Sequence, residues 1–270
     1  MLQMACHAWG YNTMSLRDAV GTIARLGFRH IDLGTGPHLD VLAATQNPKI
    51  TAEHIAHLLQ EFDLTLTDLY LMLPHINSPE PERRQQQFGL FKSLIPFAEA
   101  LGTPGITVSP GAMHADGPDH SLARAVPALQ QIIDLTADSD FRVSFELHLD
   151  SAASTPAQAL QLLQAVPGLS LTLDIAHLIT QGTDWEDIHS LFEHTAHIQI
   201  RQAAPGKLQT PFEEGILDIP KLLGALKEAD YHGVLTIEYM TTFGWQGMME
   251  VSISREVVQT RDAIRMAQQA

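Results

Sequence analysis

The chain has 270 residues, with 45% hydrophobic and 17% charged side chains, the composition of an ordinary globular protein and not of a disordered one. Against 31 Asp+Glu it carries only 16 Lys+Arg, a formal net charge of −15, which argues against binding to nucleic acid or to an anionic membrane surface. Its single cysteine, Cys6, excludes an intrachain disulfide, and no basic-then-apolar leader or long apolar run is present, so a cytoplasmic protein with no membrane partner is expected.

Short apolar runs alternate with longer helix-like stretches along the whole chain. The strand candidates, in order, are Gln3–Ala8, His30–Leu33, Thr65–Met72, Gly105–Ser109, Arg142–Leu147, Leu169–Ile175, Ala196–Arg201 and Val234–Tyr239. Between them lie helix signals. Ser15 precedes Leu16-Arg17-Asp18, an N-cap with an acid three residues on. Thr155-Pro156 places a cap before proline at the first helical position, and Asp218 with Pro220 opens another helix. Leu122–Asp134 and Leu222–Ala229 carry apolar residues at helical spacing. Gly27, Gly102 and Gly168 stand where a left-handed helix end is useful. A last amphipathic helix is expected at about Met249–Ala267.

Parallel neighbours need a crossover connection, so eight strands separated by helices predict a single (β/α)8 TIM barrel domain over residues 1–270. A doubly wound open sheet is the competing architecture, but no Gly-x-Gly-x-x-Gly follows the first strand.

Alternate strand residues point to opposite faces. In strand five Val143, Phe145 and Leu147 share one parity, and Ser144, Glu146 and His148 the other. Strand six sets Leu171, Leu173 and Ile175 against Ser170, Thr172 and Asp174. Strand seven sets Ile198 and Ile200 against His197, Gln199 and Arg201; strand eight sets Leu235, Ile237 and Tyr239 against Thr236 and Glu238. The apolar parity should face the helices and the polar parity the barrel interior. Each polar series ends in Glu146, Asp174, Gln199 or Glu238, at the end of the barrel where active sites lie. Neighbouring strands are only about 4.8 Å apart, so these four groups can converge. Three carboxylates in a partly dry cavity repel one another, and a divalent cation removes that penalty. The oxygen-rich set suits Mg²⁺ or Mn²⁺, with Co²⁺ tolerated.

Here the sequence resembles the xylose isomerase-like barrels, the sugar phosphate isomerases/epimerases that include hydroxypyruvate isomerase, ketose 3-epimerases and inosose dehydratase. The resemblance rests on Phe145-Glu146-Leu147-His148, Leu173-Asp174-Ile175-Ala176-His177, His197-Ile198-Gln199-Ile200 and Thr236-Ile237-Glu238-Tyr239. It implies one divalent metal on Glu146, Asp174, Gln199 and Glu238, with Glu146 and Glu238 also exchanging protons with the substrate carbon. It also implies that His177 contacts a substrate oxygen. A glutamine at the strand-seven position follows the hydroxypyruvate isomerase pattern, where the epimerases have histidine. The implied activity is isomerisation or epimerisation of a small sugar, sugar phosphate or hydroxy-keto acid through an enediolate. Dehydration in the manner of inosose dehydratase is the alternative, and homodimers or homotetramers are implied.

Further candidates come from position alone. Arg201 is expected to hold a substrate phosphate, carboxylate or hydroxyl. His7 and Trp9 form either a pocket wall or core packing. Asp32 is a site candidate at the end of strand two. His148 and His197 are inward by parity, and His75 and His114 should rim the same face. The long segment Arg201–Ile216 reads as a lid or binding loop whose Lys207 reaches an anionic substrate group. An endonuclease IV-like reading needs extra metal-binding histidines, and Gln202–Asp218 contains none. A non-catalytic barrel leaves the paired glutamates without a purpose.

Overall fold

In the computed structural model, which describes residues 1–269, eight parallel strands close into a barrel in sequence order. The strands are β1 (Gln3–His7), β2 (His30–Gly34), β3 (Thr65–Leu71), β4 (Gly105–Val108), β5 (Arg142–Leu147), β6 (Ser170–Asp174), β7 (Thr195–Ile200) and β8 (Val234–Ile237). The helices are α1 (Leu16–Arg25), α2 (Val41–Gln46), α3 (Pro48–Glu61), α4 (Pro81–Leu101), α5 (Pro118–Leu135), α6 (Pro156–Ala165), α7 (Ile175–Gln181), α8 (Trp185–His189), α9 (Ile219–Glu228) and α10 (Ile253–Ala267). None of them is long and apolar enough to cross a membrane.

The helix starts follow local chemistry. Ser15 accepts from the Asp18 amide, Asp218 from the Lys221 amide, and Thr155 with Gln158 completes a reciprocal capping box before α6. Gly102 ends α4 at φ 68°, a left-handed cap that a side chain would oppose. The last helix starts at Ile253, later than the apolar spacing indicates, because residues 238–252 cross the barrel mouth first.

The apolar parity packs under the helices as expected. Val143, Phe145, Leu147, Leu171, Leu173, Ile198, Ile200, Leu235 and Ile237 are all buried, and each such side chain contributes about 1.5–3 kcal/mol of hydrophobic stabilisation. Cys6 lies in this outer layer, where burial pushes its thiol up. Two register shifts tune the inward side. One lies between Ile31 and Asp32 against β3; the other, between Leu171 and Thr172, brings Thr172 opposite His197 and Asp174 opposite Gln199.

Below the mouth the interior is polar and cross-bonded. Thr107 Oγ1 contacts Asp68 Oδ2 at 2.6 Å and Thr172 Oγ1 at 2.7 Å, and Arg142 Nη2 donates to Asp68 Oδ1 at 2.8 Å. His197 Nε2 donates to Asp32 Oδ2 at 2.6 Å, and Thr67 Oγ1 donates to Asp32 Oδ1. Asp32 was expected at the site. It sits instead in this lower layer, paired with Thr67 and His197, and does not line the cavity above. His197 takes the structural role that its depth indicates.

Burial raises the Asp32 carboxyl, but the charge and hydrogen bond of His197 outweigh it and hold the group down at about 2. His197 moves the other way: burial opposes its charge, and Asp32 and Asp68 raise it above its ordinary 6.5. Asp32 therefore stabilises the fold above its ordinary 3.8, and the gain is lost as pH falls through about 2. The His197 contribution is full below 6.5 and is lost as pH rises through the raised value. The stability difference between wild type and His197→Gln is thus expected to peak between pH 3.8 and 6.5. Urea unfolding at a series of pH values checks this; a difference that grows steadily to pH 9 contradicts the pairing.

Candidate active site

The C-terminal mouth encloses a cavity of about 170 Å³. Its wall includes His7, Trp9, Tyr70, Glu146, His148, His177, Arg201, Glu238 and Trp245. A wider groove of about 850 Å³ lies among Met1, Pro220 and Tyr231, apart from the metal-binding group of Glu146, Asp174 and His177 found among the described residues.

Glu146 projects from β5 and is buried. The Tyr70 hydroxyl, at the end of β3, donates to its Oε2 at 2.6 Å, leaving Oε1 free of protein hydrogen bonds. Burial, then the nearby Glu238 and Asp174 charges, push the Glu146 carboxyl well above the ordinary carboxylate range. Asp174 ends β6 and caps α7, its Oδ1 accepting from the Ala176 amide at 2.9 Å. Burial drives Asp174 up, Arg201 opposes and Glu238 adds repulsion, so the group settles at about 6.

Gln199 ends the inward series of β7, opposite Asp174 and Thr236. Its Oε1 is a buried acceptor with no hydrogen-bond partner among the described residues. Such an orphaned oxygen is costly unless a ligand uses it. Glu238 follows directly on β8 and keeps the strand pairing through its amide to the Ile200 carbonyl (3.0 Å).

The neutral tautomer of His177 follows from its contacts. Nδ1 accepts from the Leu149 amide at 3.1 Å, so Nε2 carries the proton. That nitrogen lies 3.4 Å from Asp174 Oδ2 and 3.8 Å from Glu146 Oε1. Burial and the charge of Arg201 hold His177 far below its ordinary pKa. Glu146, Asp174 and His177 offer donor atoms all within 4.8 Å of one another, the spacing of a metal-binding triad. With Nδ1 occupied by an amide, however, the Nε2–H of His177 is a hydrogen-bond donor for an oxygen entering the cavity.

His7 and Trp9 form a pocket wall, the first of their two expected alternatives. The Trp9 amide donates to His7 Nδ1 at 3.0 Å, which places the proton on Nε2. That Nε2 and Trp9 Nε1 are both buried and without a hydrogen-bond partner among the described residues. Two neutral donors therefore await acceptors beside the cavity.

Arg201 does not reach out as a free anion hook. Its buried guanidinium lies between two carboxylates: Nη2 donates to Asp174 Oδ2 at 2.7 Å and Nη1 to Glu238 Oε2 at 2.9 Å. Nη1 also donates to the Glu238 carbonyl at 2.8 Å, and Nε to the Leu208 carbonyl at 3.2 Å. Lys207 is half exposed and pairs with Glu214 at 3.8 Å, away from the cavity wall. The segment carrying it is tied to the body of the barrel on both sides of the exposed residues 205–207. Gln209 and Thr210 are fully buried, Gln202 bridges both ways to Leu217, and Glu256 on α10 accepts from the Phe212 amide. Of the rim histidines, His114 contacts Asn77 Oδ1 at 3.0 Å and neither it nor His75 joins the wall.

The mouth is crossed instead by the segment after β8. Trp245 Nε1 and Gln246 Nε2 both donate to Asp150 Oδ2, at 3.2 and 2.9 Å, and the Trp245 ring stands edge-on to His177. Tyr70 and Trp245 escaped the sequence reading. Tyr70 shares the inward parity of Asp68 on β3 and was readable by the rule applied to strands five to eight; Trp245 lies in a loop with no period to reveal it.

Comparison with known proteins agrees with this geometry. The chain belongs to the xylose isomerase-like TIM barrel family, whose sequence profile matches residues 20–265. L-ribulose-5-phosphate 3-epimerase UlaE of Salmonella paratyphi B is 21% identical over 193 residues, covering 70% of this chain and 68% of the relative. The crystal structure of D-allulose 3-epimerase from Methylomonas sp. superposes with a TM-score of 0.76 at 20% identity, covering 98% of each chain. That of the probable 3-DHS dehydratase AsbF from Bacillus anthracis gives 0.74 at 17% identity, over 97% of this chain and 99% of the other.

Proposed function

We propose that this chain is a divalent-metal-dependent isomerase or epimerase that moves a proton at a carbon next to the carbonyl of a small sugar or hydroxy-keto acid. The observation that carries this is the arrangement of Glu146 and Glu238. Both line one cavity, and each has Oε2 anchored, by Tyr70 or by Arg201, while its Oε1 has no hydrogen-bond partner among the described residues. An anchored carboxylate with one free oxygen is positioned to take or return a proton. The named 3-epimerases among the relatives support the same chemistry.

The donor set fits a hard cation. Gln199 Oε1 is orphaned, and three carboxylates face a single guanidinium. Glu146, Asp174, Gln199 and Glu238 would hold the ion, which when bound would polarise the substrate carbonyl and its neighbouring hydroxyl. The His177 Nε2–H would hold a substrate oxygen, and the His7 and Trp9 donors would hold hydroxyls. Glu146 or Glu238 then removes the proton beside the carbonyl, leaving an enediolate. Return to the opposite face inverts the centre; return to the neighbouring carbon exchanges aldose and ketose. Trp245 stands at the cavity wall, tied to Asp150.

In the metal-free centre the one guanidinium of the wall is held by protein acceptors, and Lys207 is elsewhere. Loss of a β-hydroxyl from the same enediolate would give a dehydratase, a second reading favoured by the likeness to AsbF. Proton NMR in D₂O across ketoses, inososes and hydroxypyruvate tests the proposal. Deuterium should enter at least one of these substrates, stop after exhaustive EDTA treatment and resume with Mn²⁺. Undiminished turnover after EDTA overturns metal dependence, and an unsaturated dehydrated product selects the second reading.

A further inference from the structure

We propose that Arg201 is the resident cation of the metal-free centre, and that a divalent ion enters by displacing its guanidinium from Asp174 and Glu238. The inference rests on the metal-dependent reading above and concerns how that site is filled.

Arg201 is among the largest side chains with almost no exposure, 1%. A buried guanidinium is tolerated only when its donors are matched, and here Nε, Nη1 and Nη2 all reach acceptors. Two of those acceptors are carboxylates otherwise assigned to the metal. Both oxygens of Asp174 are engaged: Oδ1 accepts from the Ala176 amide and Oδ2 from Arg201. An ion placed on Oδ2 would stand beside a guanidinium, two like charges in a buried site. The guanidinium nevertheless leaves Gln199 Oε1 unsatisfied. The centre thus has three ligand oxygens waiting, Oε1 of Gln199, Glu146 and Glu238, and two, Asp174 Oδ2 and Glu238 Oε2, already taken by the guanidinium.

The consequence is an exchange between two occupants. When the ion arrives, Arg201 gives up its carboxylates. It already forms part of the cavity wall, so its released N–H groups turn toward substrate oxygens. Metal loading and completion of the substrate site become one event. The sequence expectation that Arg201 contacts substrate then describes the loaded state, and its contacts here describe the metal-free one.

Metal binding, not activity, tests this. Mn²⁺ is titrated calorimetrically into the chelator-stripped full chain, wild type and Arg201→Gln. Removal of the competing charge should tighten Mn²⁺ binding at least tenfold. In parallel, Mg²⁺ is titrated into ¹⁵N-labelled wild type, following the arginine Nε–H signals. The signal that moves in step with Mg²⁺ saturation should be the one removed by substitution of Arg201; Arg201→Lys provides that assignment if Arg201→Gln does not fold, and the wild-type titration then decides. Equal or weaker Mn²⁺ binding by Arg201→Gln overturns the proposal. So does Mg²⁺ saturation that leaves the Arg201 signal in place, or the failure of both ions to bind wild type. If wild type binds metal stoichiometrically while Arg201→Gln shows no gain, only the competition fails and the metal-dependent reading stands.

Discussion

Glu238→Gln is expected to lower solvent-deuterium exchange into substrate by about 10²–10⁴-fold, the usual contribution of a positioned proton-transfer group. The amide matches the carboxylate in size, and its oxygen still accepts from Arg201 Nη1, which bonds Glu238 Oε2 at 2.9 Å in the native chain. What is lost is the capacity to accept a proton. Glu146→Gln is expected to act similarly on exchange, since Tyr70 can still donate to the amide oxygen. Measured at saturating substrate, both losses should fall on kcat more than on KM. The two variants should differ in stability. Burial and the Glu238 and Asp174 charges favour the protonated form of Glu146, and the unfolded chain releases that proton freely above its ordinary 4.5. Neutralising it should therefore make the metal-free protein more resistant to urea at pH 8, with little change at pH 4. Exchange within tenfold of wild type in both variants would remove the glutamates from the chemistry.

Much of this site was legible in the amino-acid order because parity is a local property of an extended chain. Ser144, Glu146 and His148 alternate with Val143, Phe145 and Leu147, so the polar side had to face inward once helices covered the apolar side. The same reading placed Asp174, Gln199 and Glu238 at the mouth, and Ser15, Thr155 and Asp218 opened helices where their cap chemistry indicated. Depth was legible for His197 but not for Asp32. Asp32 and Glu146 are both inward residues near strand ends, yet one lies with His197 beneath the floor and the other lines the cavity. The difference is set by strand stagger and by the irregularity beside Ile31, which depend on cross-strand pairing. Parity likewise put Arg201 inside without showing whether it turns to solvent or to its own carboxylates. That choice is electrostatic: two buried acids, Asp174 and Glu238, stand within its reach. Lys207 was misplaced because Ala204 and Lys207 bridge each other in a tight turn, which folds the segment onto the protein surface.

The largest stability effect is expected below the cavity, for Asp32→Ala. Asp32 and His197 are each 1% exposed and face one another at 2.6 Å. Removing one member of a buried ion pair leaves the other charged or polar group without compensation, at about 3–5 kcal/mol. Here Thr67 also loses an acceptor, and Thr236 Oγ1, 3.2 Å from His197 Nε2, is the remaining partner. For a protein of this size a loss of that order lowers Tm by roughly 6–20 °C, from about 2–4 °C per kcal/mol. Asp32→Asn should fall less far, because its amide oxygen still accepts from a neutral His197 ring or from Thr67. Calorimetry in the presence of EDTA keeps metal binding out of the comparison. Because Asp32 touches neither the cavity nor the mouth carboxylates, deuterium exchange by folded Asp32→Asn at 20 °C should stay within a fewfold of wild type. An Asp32→Asn protein with native Tm but abolished exchange would move Asp32 from the scaffold into the site, and with it the lower boundary of the catalytic cavity.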